Sequence, residues 1–258
     1  MRQYKLLFIG MLGILTVLIG YNCVLLSKQP IWADEYVFLK ITDQLPKYSS
    51  TSKWLNDAEF SITADTEIGQ IAYEGEVWGH PPMGNLLVWP LTKAVGNFIE
   101  RIWIYRVFYG IIMLVTIGLL ADVIRRKFGY LVASFALLPL LIAPSLLQAG
   151  IYVYHDAAMC LFLALSIWLI EVRPESKWKY VTATAMVLSK IYAGMFLVPL
   201  ALLYWNKNWK VILCGLGLVP FLVYAWVVTG DPLYIVSHWS AANAWNWETF
   251  RVIVLPSI

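Results

Sequence analysis

Long uncharged stretches alternate with short polar connections along most of the chain. The first of them, residues 6–26, has about the length that a helix needs to cross the hydrocarbon core of a bilayer. Four later stretches of similar character predict further spans, at residues 102–124, 128–148, 151–170 and 211–229. The apolar stretch 180–205 fits either one span or two short spans that turn near residues 190–194.

The distribution of Lys and Arg decides between these two alternatives. A single span over 180–205 would place Lys207 and Lys210 outside, whereas two short spans place them in the cytoplasm, where basic residues are enriched. Ten of the nineteen basic residues then lie on the cytoplasmic side, namely Arg2, Lys5, Arg125, Arg126, Lys127, Arg173, Lys177, Lys179, Lys207 and Lys210. The pattern therefore predicts seven spans, with the N-terminus in the cytoplasm and the C-terminus outside.

The longest polar segment, residues 28–101, holds ten of the sixteen acidic residues. Long loops of this kind are uncommon and usually functional. Near its end, Pro81 and Pro82 fit the first turn of a helix, and the short apolar run after them predicts a helix lying in the membrane interface. We therefore predict a single all-α integral membrane module over residues 1–258, with this outer loop and an outer tail at 230–258.

Composition supports the membrane assignment. The chain is 60% hydrophobic and only 14% charged, with a mean hydropathy of +0.67, which excludes an ordinary soluble domain. We expect the bilayer as a partner and no nucleic acid. The three cysteines lie in apolar runs without metal-binding or redox spacing, so we interpret them as packing residues. Thirteen Trp and fifteen Tyr suit membrane interfaces and clefts that bind sugars or isoprenoids.

The predicted topology brings one group of ionisable residues to the outer level of the membrane. The adjacent acids Asp34 and Glu35 follow the first span directly. The other members of the group are His80, Arg106, His155, Asp156, Lys190 and His238. Ionisable groups at the edge of a span are costly and often mark function. Cations beside carboxylates suit a site that binds a phosphate next to a general base.

Each of these residues also has a purely structural interpretation. Asp34 and Glu35 could be solvated loop acids, and the cations Arg106 and Lys190 could extend to the interface. Asp156 could pair with one of these cations, and the three histidines could be packing or loop residues. A functional site is favoured because, without one, every structural interpretation would have to be correct at the same time for residues that share one level of the membrane.

The order of these motifs resembles the GT-C superfamily of polytopic glycosyltransferases, in particular the branch of protein O-mannosyltransferases and lipid A aminoarabinose transferases. The pair Asp34-Glu35 is similar to the acidic motif in the first outer loop of that branch. Residues 79–85, Gly-His-Pro-Pro-Met-Gly-Asn, are similar to its His-Pro-Pro-Leu-Gly-Lys stretch. The remaining matching positions follow in the expected order, at Arg106, Asp156, Ser189-Lys190 and residues 230–234.

The chain also departs from the pattern of that branch. Met83 and Asn85 stand where Leu and Lys are common in the branch. A large C-terminal outer domain does not follow the seventh predicted span, and residues 251–255 look like the start of another apolar segment. We therefore expect either a fragment of a longer enzyme or a minimal version of one.

The resemblance implies transfer of a sugar from a polyprenyl-phosphate carrier to an acceptor hydroxyl at the outer face, with inversion. It implies that Asp34 acts as the general base and that Glu35 orients it or binds the acceptor. Arg106 and Lys190 are the implied ligands of the donor phosphate, where they would stabilise charge on the leaving group. Asp156 would position Arg106 or a sugar hydroxyl. Three histidines complete the substrate-positioning set, at His80, His155 and His238.

The remaining expectations concern cofactors, acceptor and location. No cofactor is required, but a divalent cation is an option because loop residues offer oxygen and nitrogen ligands, at Asp34, Glu76, His80 and His238. The acceptor is a protein, a lipid or a glycan. The expected location is the plasma (inner) membrane, with the active site on the outer face.

Two other functions compete with the mannosyltransferase-like interpretation. A carrier, either a lipid-linked sugar flippase or a secondary transporter, would place ionisable groups near the bilayer midplane and often shows internal repeats. The clustering of charge at one face and the absence of a clear repeat disfavour it. The other alternative is a non-catalytic subunit that retains the GT-C-like fold.

Overall fold

The computed structural model shows a bundle of helices with one short β-hairpin. It describes residues 2–29, 31, 35, 38–39, 42–43, 60–66, 69–75, 81–96, 100–203, 209–229 and 232. The α-helices are α1 (Arg2–Ser27), α2 (Met83–Val95), α3 (Ile102–Ile142), α4 (Pro144–Ile151), α5 (His155–Val172), α6 (Trp178–Val187), α7 (Leu197–Leu203) and α8 (Val219–Thr229). The 3-10 helices are Ile191–Phe196 and Trp209–Leu218, and the strands are β1 (Phe60–Thr66) and β2 (Gly69–Gly75).

Several of these helices have the length and composition of membrane spans. Within the described residues, four stretches are long and apolar enough to cross a bilayer, at Gln3–Ser27, Ile102–Ile142, His155–Val172 and Trp209–Val227. The prediction of a helical integral membrane protein is therefore confirmed. The count of seven spans stays a prediction.

Helix α3 contains a sharp break. Its 41 residues would measure about 61 Å if straight, which is roughly twice the thickness of a hydrocarbon core. Gly129 interrupts it with φ 85° and ψ 174°, a conformation that side chains with a Cβ rarely adopt. The break lies directly after the basic residues 125–127, where the sequence predicts the end of one span and the start of the next.

The stretch 180–205 is also divided, near the predicted turn at residues 190–194. Helix α6 ends at Val187, and the chain resumes as the 3-10 helix Ile191–Phe196 followed by α7. Each piece is shorter than an ordinary span, so the number of crossings in this region stays a prediction.

The outer loop also contains a β-hairpin that is not predicted from the sequence. Strands β1 and β2 are antiparallel, with Phe60 opposite Gly75 and Thr66 opposite Gly69. The register places Ile62 opposite Tyr73. Alternating β-branched and aromatic residues are typical of strands, so a local signal for this hairpin was present in the sequence.

A helix is present where the interfacial helix is predicted, namely α2, which has 13 residues and begins after Pro82; its location in the interface stays a prediction. Pro90 lies inside it, and Leu86 and Trp89 are exposed. An exposed apolar face on a short helix suits a position in the membrane interface.

Helix α1 packs along the first half of α3 through the buried side chains Leu15 and Ile19. A Cβ on Gly110 would lie 2.7 Å from Cys23 Sγ, so this close approach of the two helices requires glycine. Helix α5 packs on α6 around Met186, which is fully buried.

The described members of the two predicted charge groups that lie on α3 and α5 are found at opposite ends of these helices. Asp122 on α3 accepts hydrogen bonds from Arg125 and Arg126, and Lys127 forms an ion pair with Glu171 near the end of α5. We name this the basic end of the bundle.

The opposite end is where Phe38, Leu39 and α2 pack on the start of α3, and we name it the loop end. About 24 Å of helix separates Arg106 from Asp122 on α3, and a similar length separates Asp156 from Glu171 on α5. The fold thus separates the predicted outer residues from the predicted cytoplasmic ones by about the height of a span.

Candidate functional site

The loop end is assembled from segments that are distant in sequence, and α2 joins them. The backbone N–H of Met83 donates a hydrogen bond to the carbonyl of Leu188 at 3.0 Å, which docks the start of α2 on the turn after α6. Asn85 Nδ2 donates to Thr42 Oγ1 at 2.8 Å and to the Phe38 carbonyl at 3.3 Å. The side chain of Asn85, which departs from the related pattern, therefore holds the segment that follows α1.

Arg106 forms a buried ion pair with Glu35. Its Nε and Nη2 donate to Glu35 Oε1 and Oε2 at 3.1 and 2.6 Å, and the two side chains are 0% and 2% exposed. Its Nη1 donates to the backbone carbonyls of Leu26 and Gln29. The guanidinium thus fastens the end of α1 and the residue at position 35 to the first turns of α3.

This geometry bears on two predicted roles. A donor phosphate could reach the Arg106 guanidinium only if its pair with Glu35 opened, so that assignment stays a prediction. Asp156, expected to position Arg106 or a sugar hydroxyl, pairs with Lys190 instead of Arg106. Both carboxylate oxygens of Glu35 accept hydrogen bonds from Arg106, so Glu35 holds the guanidinium in place.

A short connection between α4 and α5, residues 152–154, contacts this buried pair, and we name it the strap. The backbone N–H of Val153 donates to Glu35 Oε1 at 3.1 Å. The ring centroid of Tyr152 lies 5.9 Å from the guanidinium carbon of Arg106, within the range of a cation–π contact.

The second ion pair at the loop end joins Lys190 to Asp156. Lys190 Nζ donates to Oδ1 and Oδ2 of Asp156, both at 2.7 Å, and the hydroxyl of Tyr192 donates to Oδ1 at 2.7 Å. The ring centroids of Tyr154 and Tyr192 lie 4.9 and 4.8 Å from Nζ. The side chain of Lys190 is 8% exposed and that of Asp156 is 46% exposed, so an accessible carboxylate covers a buried ammonium.

His155 lies between the two pairs at the start of α5. Its imidazole makes edge-on contacts with the rings of Phe38 and Tyr154, with centroids 4.7 and 5.2 Å apart. A Cβ on Gly84 would lie 2.6 Å from His155 Nδ1. The glycine of the His-Pro-Pro-Met-Gly stretch therefore lets α2 approach α5 at this imidazole.

Four predicted residues lie outside the described residues. They are Asp34, Glu76, His80 and His238. Among the residues that the structure does describe, no group of three His, Cys, Asp or Glu could hold a metal ion. Because the proposed metal ligands all belong to the four, the divalent cation stays a prediction.

Three tyrosines beside these ion pairs are not predicted from the sequence, namely Tyr152, Tyr154 and Tyr192. Two of them precede the His155-Asp156 dipeptide and one follows Lys190 by two residues. Aromatic residues directly beside buried ionisable ones were the available signal, because such rings can contact a cation.

An apolar groove of about 400 Å³ lies between α1 and the first half of α3. Its floor includes Gly20, Cys23 and Gly110, and Ser27 and Trp103 line it near the loop end. The volume lies within the usual range for ligand pockets, and the groove extends along the helices to within one turn of Arg106.

Comparison with known proteins places the chain in a family. Residues 79–229, more than half of the sequence, match the family model described as dolichyl-phosphate-mannose-protein mannosyltransferase. The match includes Arg106, Asp156 and Lys190. No curated protein and no solved structure gives a significant match. The resemblance to the GT-C superfamily is confirmed, and the chain belongs to the dolichyl-phosphate-mannose-protein mannosyltransferase family of membrane glycosyltransferases.

Proposed function

We propose that this protein is an inverting glycosyltransferase that moves a sugar from a polyprenyl-phosphate carrier to an acceptor hydroxyl. The observation that carries the proposal is the convergence of four ionisable residues from separate segments at one end of an otherwise apolar bundle. Those residues are Glu35, Arg106, Asp156 and Lys190.

The apolar groove supports a donor with a lipid tail. An isoprenoid chain held between α1 and α3 would lie in the bilayer and bring its phosphate to the loop end. The lining is almost entirely apolar, so the tail is as well shielded from water in the groove as it is among lipid chains. The phosphate is then the only strongly polar part of the carrier, and it needs a cation at the loop end.

Lys190 is the cation that we assign to the phosphate. As the glycosidic bond breaks, negative charge grows on the phosphate oxygens, and a positioned ammonium stabilises that charge. The ammonium of Lys190 donates to a half-exposed carboxylate, whereas the donor nitrogens of Arg106 are all engaged by Glu35 and by backbone carbonyls. We therefore propose that Arg106 does not bind the phosphate and acts indirectly, by holding Glu35 in position.

Asp34 is the residue that we assign as general base. It precedes Glu35, whose carboxylate is fixed by Arg106 and by the strap. In the proposed reaction the acceptor oxygen attacks the anomeric carbon and loses its proton to Asp34. The bond from that carbon to the phosphate oxygen breaks, and its electron pair leaves with the phosphate. One displacement of this kind inverts the anomeric centre.

We further propose that the loop end faces the outside of the plasma membrane in a seven-span arrangement with a cytoplasmic N-terminus. The separation of the loop end from the basic end supports this orientation, because basic residues are enriched on the cytoplasmic side. The acceptor would reach the site from the aqueous side.

The test is sugar transfer by purified protein in lipid nanodiscs. Polyprenyl-phosphate sugars are offered to the wild type, to Asp34→Asn and to Asp65→Asn, a control acid in the same loop. We expect Asp34→Asn to retain donor binding and lose about 10²–10⁴-fold in the rate of transfer, as removal of a general base requires. The control should keep its rate.

The same assay separates the competing functions. Transport of a lipid-linked sugar across the membrane without transfer would support a carrier and overturn the proposal. Donor binding without transfer or transport would indicate a non-catalytic subunit. Loss of transfer in the presence of a chelator would establish the divalent cation.

A further inference from the structure

We infer that Asp156 is an exchangeable placeholder for the donor phosphate. Its carboxylate occupies the place of the phosphate on Lys190, and when a phosphate binds it leaves the ammonium but keeps its hydrogen bond from the hydroxyl of Tyr192. This inference rests on the proposed function, which it deepens by stating how the phosphate of the carrier is admitted and released.

The first step of the argument is that the Lys190 ammonium has room for one anion. Tyr154 and Tyr192 place their rings on two sides of Nζ, and both oxygens of Asp156 lie 2.7 Å from it. The lysine side chain is only 8% exposed. An incoming anion therefore reaches the ammonium only where the carboxylate lies now.

The second step is that the carboxylate of Asp156 can separate from Lys190 at a small cost in free energy. It is half exposed, so water solvates its carboxylate once it separates from Lys190. Tyr192 already donates to Oδ1, so one hydrogen bond of the carboxylate is kept during the exchange. Asp156 also lies in the first turn of α5, where the helix dipole favours a negative charge.

The third step concerns release of the spent carrier. The donor is a phosphodiester with one negative charge, whereas the polyprenyl phosphate left after transfer is a monoester with a charge of about −1.5 to −2 at neutral pH. Lys190 alone would therefore hold the product more tightly than the substrate. A tethered carboxylate that returns to the ammonium competes with the product and speeds its departure.

The experiment measures binding of sugar-free polyprenyl phosphate to the full-length protein in nanodiscs. We expect Asp156→Asn to bind it about fivefold more tightly, the size of effect expected when a half-exposed competing ion pair is removed. Tyr192→Phe keeps the ring but removes the second partner of Asp156, so binding should weaken. In a Lys190→Met background the effect of Asp156→Asn should disappear.

Kinetics provide a second readout that a purely structural role would not produce. Asp156→Asn should slow steady-state turnover more than it slows a single turnover, because release of the spent carrier becomes the slower step. Lys93→Gln is the matched control, because it breaks another lysine–aspartate pair at the same end, with Asp43, and should change neither quantity.

The inference is overturned if Asp156→Asn folds with an unchanged unfolding temperature and binds polyprenyl phosphate no more tightly than the wild type. It is also overturned if Tyr192→Phe and Asp156→Asn shift binding in the same direction. A wild type that binds no polyprenyl phosphate would overturn the proposed function and this inference together. Binding by the wild type that Asp156→Asn leaves unchanged would remove the inference alone.

Discussion

At the scale of single residues, the buried pair of Arg106 and Glu35 has a clear consequence for stability. Both charges are buried, and the pair joins segments that lie 71 positions apart in the chain. Removing one partner of a buried pair leaves a charge without compensation, which costs more than removing both.

We therefore predict that Arg106→Met destabilises the protein by about 3–5 kcal/mol. The double variant Arg106→Met with Glu35→Leu should lose clearly less, because no isolated charge is left in the interior. Thermal unfolding in detergent, followed by Trp fluorescence, measures both. Losses that simply add in the double variant would contradict the interpretation.

A second prediction at this scale concerns Gly84, whose hydrogen faces His155. Gly84→Ala should destabilise the protein by about 1–3 kcal/mol, because the new methyl group overlaps the imidazole. Gly118→Ala is the control, since a Cβ there meets nothing within 4 Å, and it should be neutral or slightly stabilising. Equal effects of the two substitutions on the unfolding temperature would show that the contact with His155 is unimportant.

At the scale of elements, the break in α3 depends on one backbone conformation. A Cβ on Gly129 meets nothing within 4 Å, so a substitution there acts through the positive φ alone. We predict that Gly129→Ala costs about 1–3 kcal/mol, the range for a residue forced into a glycine conformation. Gly13→Ala in α1, which also has open space around it, should cost nothing. An unfolding temperature that Gly129→Ala leaves unchanged would mean that α3 tolerates a different path.

The positions of the long helices could be predicted because hydropathy and length are local properties of the sequence. The predicted span 6–26 lies within α1, and the predicted break after residue 127 lies beside Gly129. The hairpin was missed although its alternation is local, because a long acidic segment between spans is usually interpreted as loop. Two short strands show only a few alternating residues, and this weak signal is hard to recognise within a mostly polar segment.

The candidate site was predictable only in part, for a physical reason. An ionisable residue at the edge of a predicted span can be recognised individually from the sequence, and this is how Arg106, Asp156 and Lys190 are predicted to be functional. Which carboxylate meets which cation depends on how α2, the strap and α5 pack together. That arrangement is a tertiary property, so the pairing of Lys190 with Asp156 and the roles of the tyrosines were not readable from the chain.

At the scale of the whole molecule, the two ends of the bundle lead to a prediction about orientation. Single cysteines are introduced at Lys93 and at Glu175 in a variant that lacks the three native cysteines. Both positions are exposed in the structure. We expect a membrane-impermeant maleimide to label Lys93→Cys in intact cells and Glu175→Cys only after permeabilisation. Labelling of both from the same side would contradict the separation of the two ends across the bilayer.

The strap has a consequence for how this protein tolerates change. Three consecutive residues, about 10 Å of chain, contact both ion pairs at the loop end. A substitution that shifts one ion pair should therefore also move the side chains around the other. The effects on activity of substitutions in the two pairs should then be non-additive in free energy. We therefore expect the substitutions that are tolerated at Glu35 during evolution to depend on the residue at position 190.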